Sequence, residues 1–573
     1  MPSVNIYERD LTNPYSTDTT SNIVFIPGYA NIGPINTPTL CRTLSEFYAT
    51  FGSKPYTFRT TQSYPEIGDK KFTDEANPST NGSFYEIGDY EKSYIMAAEL
   101  LSKNLPVLFE RVIFDTSEID YATKEISNVA TFKAKEIYSG LAGCLITCSI
   151  DVNSDYYTLN IKLASASDDD IVKDEKANKL AQQLGISEID EEFNFAIDNT
   201  KSTPSLPFYT NIHSNIVDII WNISGSQLAA VPKFRLTIDN IAKKDDFNVT
   251  DIYNEFLQSN TVENHSLYKL KDRGEYQIKF LTIGAYPSFE FGENGVYNIF
   301  NNLIQTAAER GDCIALVDHT FTRNARSLST ASGSGSVYTE LSDYVKTPIT
   351  IVRKGGDSED GYTYGAMFTP YATYTLTTQN NSQYILPASF GYLIALAAST
   401  QSNPNWYAIA GVSRGIPSGL IGLTQNVTNA IADLYQPRDG VSINCITNIK
   451  PYGYTIWGNR TLKDNSVDGD LKALSFLNIR MLTSDLKKTL YQACKRYTFE
   501  NNTDIMWLNF KSQIEPTLAK MLSGNGIASY QIIKLATTKK ATIEAVIRLV
   551  PIEPVEDWYI TIELTDGVEA NIQ

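Results

Sequence analysis

The sequence predicts a multidomain protein of mixed α/β and α+β class. The chain has 573 residues, which is too long for one ordinary domain. Apolar residues make up 42% of it and charged residues 20%, values typical of chains that bury a large core. Runs with strand periodicity alternate with runs of helical periodicity, which predicts sheets packed against helices.

The N-terminal segment, residues 1–20, is polar and rich in turn-forming residues. Within it, Val4 and Ile6 form a short apolar alternation with Tyr7 beside them. This pattern is compatible with a terminus that lacks fixed structure. It is also compatible with a strand that needs the sheet of another chain.

A buried strand over residues 22–26 comes next, followed by a loop rich in glycine and proline. A second strand over 39–43 leads into a short helix that ends at Gly52. Residues 53–88 are polar and predict a loop. Helical spacing then predicts a helix over 91–103, and Pro106 opens another strand.

Residues 115–275 show broken strands, turns and acidic runs, which predict an inserted, solvent-facing domain rich in β-structure. A strand, a helix and a second strand follow over residues 279–287, 295–311 and 312–320. This order is typical of a βαβ unit in an open α/β layer. Residues 326–336 and 354–365 predict loops.

The C-terminal third predicts an apolar helix over 387–400, a helix through Leu486, a helix over 503–522 containing Pro516, and closing strands over 541–551 and 558–564. Leu486, Leu490, Ala493 and Tyr497 lie on one face of the second helix. The remaining surface carries four basic residues, Lys487, Lys488, Lys495 and Arg496. Their side chains form either a solvated face or a surface for a partner protein.

The formal net charge of −17, without a basic cluster, argues against direct binding to nucleic acid. We also expect no signal peptide and no membrane insertion, because no charged-then-apolar leader and no long apolar run is present. The six cysteines predict free thiols in a reducing compartment, and no metal or other cofactor is expected.

Common catalytic motifs are missing: there is no phosphate-binding glycine loop, no zinc-protease motif and no nucleophile elbow. The strongest catalytic candidate is Cys313 with Asp318 and His319 on the second strand of the βαβ unit. An α/β enzyme with a site at these three residues is the alternative interpretation. The leading expectation is that the chain has no catalytic residues.

The run over residues 406–462 combines glycine, tryptophan and arginine with strand-like stretches and carries little reactive chemistry. This composition indicates packing and backbone geometry. The residues that define the run are Trp406, Gly411, Arg414, Gly415, Trp457, Gly458 and Arg460. The two arginines either pair within the fold or bridge subunits, and the intramolecular pairing is slightly favoured.

Several segments, in the same order, resemble those of the sheath proteins of contractile phage tails and related injection particles. The opening segment SNIVFIPGYANIGPINTPTLCRTLSEFYATFG is similar to the family's start. Toward the other end, YILPASFGYLIALAAST, NWYAIAGVSRG, SINCITNIKPYGYTIWGNRTL and the helix leading to FENN resemble family blocks. Ile409 departs from the pattern, since the family usually has proline there.

The resemblance implies a core built from both chain ends, with extended terminal arms that reach into neighbouring subunits. The corresponding domains are a conserved N-terminal part over 21–114, the variable outer insertion over 115–275, an α/β layer over 276–365 and a conserved core over 366–556. Arms would occupy 1–20 and 557–573, and their contact residues would be Val4, Ile6, Tyr7, Tyr559, Ile560, Ile562 and Leu564.

The function implied is that of a structural subunit, which polymerises helically around an inner tail tube. Contraction from a metastable extended state would then drive the tube through the host envelope. Expected partners are further copies of the chain, the inner tube protein, and baseplate and tail terminator proteins. Lys487, Lys488, Lys495 and Arg496 are the candidates for facing the tube. The expected location is a virion tail assembled in the host cytoplasm.

Overall fold

The computed structural model describes residues 22–55, 88–112, 121–164, 181–182, 184–224, 227–237, 261–263, 265–285, 292–319, 349–352, 358–428, 432–433, 435–537 and 541–556. Its strands, numbered in chain order, are β1 (Val24–Gly28), β2 (Thr39–Cys41), β3 (Val107–Arg111), β4 (Thr123–Ile126), β5 (Ala130–Ala134), β6 (Ile146–Val152), β7 (Tyr157–Leu163), β8 (Ile189–Phe195), β9 (Val217–Trp221), β10 (Val231–Arg235), β11 (Phe280–Leu281), β12 (Ile314–Asp318), β13 (Thr350–Val352), β14 (Ser358–Asp360), β15 (Gly365–Thr369), β16 (Ala372–Leu376), β17 (Ser382–Leu386), β18 (Leu420–Leu423), β19 (Asn444–Ile449), β20 (Gly453–Trp457), β21 (Ile527–Leu535) and β22 (Glu544–Pro551). The α-helices are α1 (Leu44–Phe51), α2 (Gly88–Ser102), α3 (Ser266–Lys269), α4 (Gly292–Arg310), α5 (Ala388–Ser399), α6 (Gly411–Arg414), α7 (Leu477–Tyr497) and α8 (Asp504–Ser523).

The central sheet has eight strands in the order β2-β3-β1-β11-β12-β15-β19-β20. Its interior pairs are parallel, and the two edge strands β2 and β20 pair antiparallel to their neighbours. Strands from the N-terminal part of the chain therefore lie beside strands from its C-terminal part. The predicted βαβ unit is confirmed, since β11 and β12 are parallel and α4 lies between them in sequence.

Both faces of the central sheet are buried, as expected for a parallel sheet. Along β1, Phe25 packs into the core on the face covered by α4, whereas Val24 and Ile26 pack into the core on the opposite face. Helices α2 and α5 contribute their apolar residues to that second core. The result is a three-layer arrangement of helix, sheet and helix.

Local sequence signals determine where helices begin and end. The Thr43 side chain accepts a hydrogen bond from the backbone N of Glu46, and α1 ends where Gly52 has a φ of 87°. Thr503 caps α8 in the same way, with its Oγ1 3.1 Å from the backbone N of Met506. Such side-chain oxygens satisfy amides that have no partner within the first turn.

Residues 121–237 form two separate sheets, of order β10-β6-β7-β8 and β4-β5-β9. These strands enclose a core of their own. The sheets contact the loop after β1, where the Gly33 amide donates to the Ile137 carbonyl over 2.9 Å. The domain limits at 115 and 275 remain a prediction, and residues 113–120 and 238–260 lie outside the described part.

A C-terminal module combines the neighbouring helices α7 and α8 with a hairpin formed by β21 and β22. Leu482, Leu486, Leu518, Met521 and Ile527 form its small apolar core. The module therefore stabilises a two-stranded sheet that would be marginal alone.

Most predicted elements agree with the structure to within a few residues, including α8 with Pro516 inside it. The predictions were incomplete in several places. The loop expected over 354–365 contains β14 and a 3₁₀ turn, and β13, β15, β16, β17, β18 and β21 were not predicted. None of the helices in the described ranges is both long and apolar enough to cross a membrane.

Candidate functional site

The alternative catalytic cluster is not assembled in the structure. Cys313 precedes the first residue of β12 and Asp318 is its last residue, so an extended run of five residues, roughly 16 Å, separates them. Burial raises the pKa of the Cys313 thiol to about 12, which keeps the thiol protonated at neutral pH. Cys313 and Asp318 therefore cannot act on one substrate atom.

Asp318 instead caps helix α5. Its carboxylate accepts hydrogen bonds from the Ser389 backbone N, over 2.8 Å, and from the Ser389 hydroxyl. Burial raises the pKa of Asp318 to about 7 although these hydrogen bonds lower it, and burial lowers the pKa of His319 to about 3. Helix α5 thus covers the carboxyl end of β12, where α/β proteins commonly bind ligands.

Trp406 packs against the end of α8. Its Nε1 donates to the Gly524 carbonyl over 2.8 Å, and its backbone carbonyl accepts from Asn478 Nδ2 over 3.1 Å. A Cβ at Gly524 would lie 2.6 Å from the Trp406 ring, and a Cβ at Gly526 would lie 2.9 Å from it. The position of the indole therefore requires glycine at both positions. Its hydrogen bond to Gly524 connects the loop at Trp406 to the C-terminal module.

The first part of the 406–462 run is held by contacts within the chain. Gly411 and Arg414 are the ends of the short helix α6. Arg414 Nε donates to the Ala408 carbonyl over 2.9 Å, and the Gly415 carbonyl accepts from the Ile456 amide over 2.7 Å. Ile409, at the departure from the family pattern, is buried in the core beside α5.

The second part of the run is organised by Asn444. Its side-chain amide donates to the carbonyls of Met367 and Arg460 over 3.1 and 2.9 Å, and its Oδ1 accepts from the Arg460 amide over 2.8 Å. A Cβ at Gly458 would lie 3.0 Å from the Asn444 backbone, so this approach requires glycine. Trp457, by contrast, is partly exposed.

Arg460 binds Glu556, the last described residue before the C-terminal segment. The Arg460 Nε donates to one carboxylate oxygen of Glu556 over 3.1 Å. A terminal guanidinium nitrogen donates to the other oxygen. The Arg460 side chain is only 4% exposed and also lies over the Phe476 ring. We call this pair the Arg460–Glu556 clamp. Arg414 and Arg460 thus both contact groups within the fold, Arg414 a backbone carbonyl and Arg460 a carboxylate.

The hairpin of β21 and β22 presents the most open surface of the C-terminal module. No third strand pairs with either of its edges within the part of the chain that the structure describes. Tyr530, Ile532, Ile547 and Leu549 face the helices, whereas Val546 and Val550 are exposed on the other side. An unpaired edge with apolar side chains is suited to accept a further strand.

The predicted basic face of α7 is only partly present. Lys488 is buried, so its place among solvent-facing residues was wrong, and burial, together with nearby Lys279, lowers its pKa to about 8. The Lys487 ammonium donates hydrogen bonds to Glu359 Oε1 over 3.1 Å and to the Tyr364 hydroxyl over 2.6 Å. Lys495 and Arg496 remain exposed in the last turn of the helix.

A buried ion pair joins α7 to the central sheet. Lys279 is fully buried just before β11, and its ammonium contacts the Asp485 carboxylate and the Met481 carbonyl, the latter over 3.1 Å. Sequence reasoning missed this pair, as it missed Asn444 and Glu556. Their partners lie far away in the chain, so spacing along the sequence gave no signal.

The predicted arm residues lie outside the described residues. They are Val4, Ile6 and Tyr7 at one end and Tyr559, Ile560, Ile562 and Leu564 at the other. Their contacts stay a prediction.

Comparison with known proteins gives a consistent result. No protein-family model matches the chain. A stretch of 145 residues, 25% of this chain, is 28% identical to the tail sheath protein of Vibrio phage KVP40 and covers 20% of that relative. The chain thus spans about a fifth of the curated relative that it matches.

Solved structures extend the likeness to the whole fold. The sheath tail protein from Listeria innocua aligns with a TM-score of 0.51 over 93% of this chain and 95% of that one, at 11% identity. A contracted sheath complex of the extracellular contractile injection system PVC aligns over 53% of this chain and 75% of that one, with a TM-score of 0.39 and 17% identity. The multidomain fold is that of the Listeria protein, and the resemblance to sheath proteins is confirmed.

The burial of the cysteines gives a first testable prediction, on the alternative catalytic site. In the native protein at neutral pH, iodoacetamide should modify the exposed residue Cys494, slowly because partial burial raises the pKa of its thiol, and leave the five buried thiols unmodified. Peptide mass spectrometry locates the modified residue, and a Cys494→Ser variant should remain unlabelled. Rapid native modification of Cys313 would contradict the assignment of this residue to the core.

Proposed function

We propose that this chain is a structural subunit of a contractile tail sheath, which polymerises helically around an inner tube. The observation that carries the proposal is the hairpin of β21 and β22, whose edges have no further strand in the described residues. Terminal strands from neighbouring subunits would add to these edges and satisfy their backbone groups. The fold shared with the Listeria sheath protein supports the same proposal.

Strand exchange of this kind joins different surfaces of two identical chains. Such a contact is heterologous, so repeated contacts generate an open helix or stacked rings. Subunits linked by strands stay connected while their globular parts change position. We propose that contraction from a metastable extended helix then moves the inner tube through a host envelope. The trigger would lie at a baseplate, and a terminator protein would close the other end.

The Arg460–Glu556 clamp gives the C-terminal arm a fixed point of departure. Glu556 directly precedes residues 557–573, and the clamp ties it to β20 and α7 through Arg460 and Phe476. An arm that leaves from a fixed point loses less conformational freedom when it finds its acceptor edge. We propose that the clamp directs the arm toward a neighbouring subunit.

The first test removes residues 2–12, the proposed N-terminal strand donor. The truncated chain should fold as a soluble monomer with an unchanged circular dichroism spectrum, because its core lies elsewhere, and should form no tubes in electron micrographs. Added to full-length protein in small amounts, it should shorten the tubes, since it keeps an acceptor hairpin and lacks a donor strand. Tubes of normal length made from the truncated chain alone would refute the strand exchange.

The second test breaks the clamp with Glu556→Gln and, separately, Arg460→Gln. Because Arg460 is buried and its partner is 24% exposed, the free energy of unfolding in urea should decrease by about 1–3 kcal/mol. The rate of tube formation should fall by more than a loss of folding stability of this size would cause. The control is Arg438→Gln, which removes an exposed pair with Asp470 and should change stability by less than about 0.5 kcal/mol. Normal tube growth by folded Glu556→Gln protein would show that the clamp does not direct the arm.

The third test concerns the contact with the inner tube, for which we propose the exposed residues Lys495 and Arg496. The double variant Lys495→Glu, Arg496→Glu should bind the tube less well in co-sedimentation, because two charges change sign at an electrostatic surface. Sheath self-assembly should persist. A matched double variant at the exposed residues Lys124 and Lys201 changes net charge equally and should bind the tube normally. Equal binding by both double variants would assign Lys495 and Arg496 to a solvated face.

A further inference from the structure

The four-stranded sheet of residues 121–237 has one apolar and one polar face. Along β6, Ile146, Cys148 and Ile150 belong to the apolar core, so Thr147 and Ser149 project to the opposite side. In the adjoining strand β7, Lys162 pairs with Thr147 and Asn160 pairs with Ser149. Side chains at directly paired positions are neighbours on one face of the sheet. The strand pairing therefore places a lysine, an amide and two hydroxyls together.

A β-bulge adds a second lysine to this group. The register of β10 against β6 shifts between Val231 and Phe234, and Lys233 lies within that irregular stretch. Bulges commonly redirect a side chain toward a functional surface. Lys233 lines the same cavity of about 240 Å³ as the residues of β6 and β7, and the complete lining consists of Thr147, Cys148, Ser149, Asn160, Lys162 and Lys233.

The Thr147 hydroxyl is the most unusual group in this cavity. Thr147 is 5% exposed, and its Oγ1 has no hydrogen-bond partner in the structure. A buried hydroxyl without a partner destabilises the folded protein unless another group satisfies it. An acceptor that enters the cavity would remove this cost.

Acidic side chains lie beside the lining residues on the same face of the sheet, since Asp190 and Glu192 of β8 pair with Lys162 and Asn160. Lys162 is 3.5 Å from Asp190, whose side chain is 53% exposed. Asn160 donates its amide to Asp151 over 2.9 Å at an exposed position. None of the six lining residues is acidic, although the whole chain carries a net charge of −17.

We propose that this cavity binds a compact oxyanion, a carboxylate or phosphate group, between Lys162, Lys233 and the Thr147 hydroxyl. The two ammonium groups supply charge-assisted hydrogen bonds, and the hydroxyl donates a third. The anion can be free or attached to a sugar, since the cavity exceeds the size of an isolated phosphate. Anion binding at this site does not depend on polymerisation, because the residues that line the cavity come from β6, β7 and β10 alone.

Equilibrium dialysis of the full chain with radiolabelled inorganic phosphate and with glucuronate tests the proposal, with glucose as the uncharged control. Saturable binding of at least one anion, with one site per chain, is expected, and the preferred anion identifies the source. Lys233→Met and Thr147→Val should each weaken binding by about tenfold or more, because each removes one hydrogen bond to a charged group. Lys201→Gln, which changes an exposed lysine of the same region, should bind normally.

Thr147→Val also separates a binding role from a structural one. Valine has nearly the shape of threonine and removes the unsatisfied hydroxyl, so the unliganded variant should melt no lower than the original protein. The anion-induced rise in melting temperature should shrink in the variant. Absence of saturable binding to the original protein, equal binding of glucose, or binding unaffected by both substitutions would overturn the proposal.

Discussion

The buried ion pair of Lys279 and Asp485 connects the central sheet to the C-terminal module. Lys279 directly precedes β11, and its backbone N donates to the carbonyl of Ile23, the residue before β1, over 2.8 Å. Its side chain reaches Asp485 and Met481 on α7. A charge buried to this degree is tolerated only when it is paired and hydrogen-bonded. Helix α7 therefore has one favourable position on the central sheet. The position of α7 in turn sets those of α8 and of the hairpin that packs on both helices.

The residues that carry the family resemblance act mainly within the fold. Trp406 fits against Gly524 and Gly526, and Asn444 holds the backbone around Arg460. These contacts join segments that are distant in sequence and leave little room for larger side chains. The geometry of the core therefore restricts which side chains fit at these positions. The surfaces proposed for assembly lie beside them, on the hairpin edges and at the exit of the C-terminal segment.

The sequence predicted local structure better than it predicted contacts. Helices α1 and α8 were predictable because a capping threonine and the apolar periodicity lie within a few residues of each other, and α4 and α7 were predictable from their apolar periodicity. Strand β21 was missed, since its half-buried pattern depends on pairing with β22 and on packing against the helices. The exposed position assigned to Lys488 was wrong because helical spacing identifies a face but not the depth at which a neighbouring sheet covers it. The Arg460–Glu556 clamp joins residues 96 positions apart, a relation that periodicity cannot reveal.

Under the proposed function, the order of these contacts has a mechanical consequence. A pull on a donated strand would act on the backbone hydrogen bonds of the hairpin, which yield together because they share the load across the ladder. The load would then pass through the apolar contacts of Ile527 and Met521 to α8 and α7, and from Asp485 to the central sheet. The sheets of residues 121–237 lie outside this path, because their strands pair only with one another among the described residues. They can therefore vary in sequence, and bind a ligand of their own, without altering the connection between subunits.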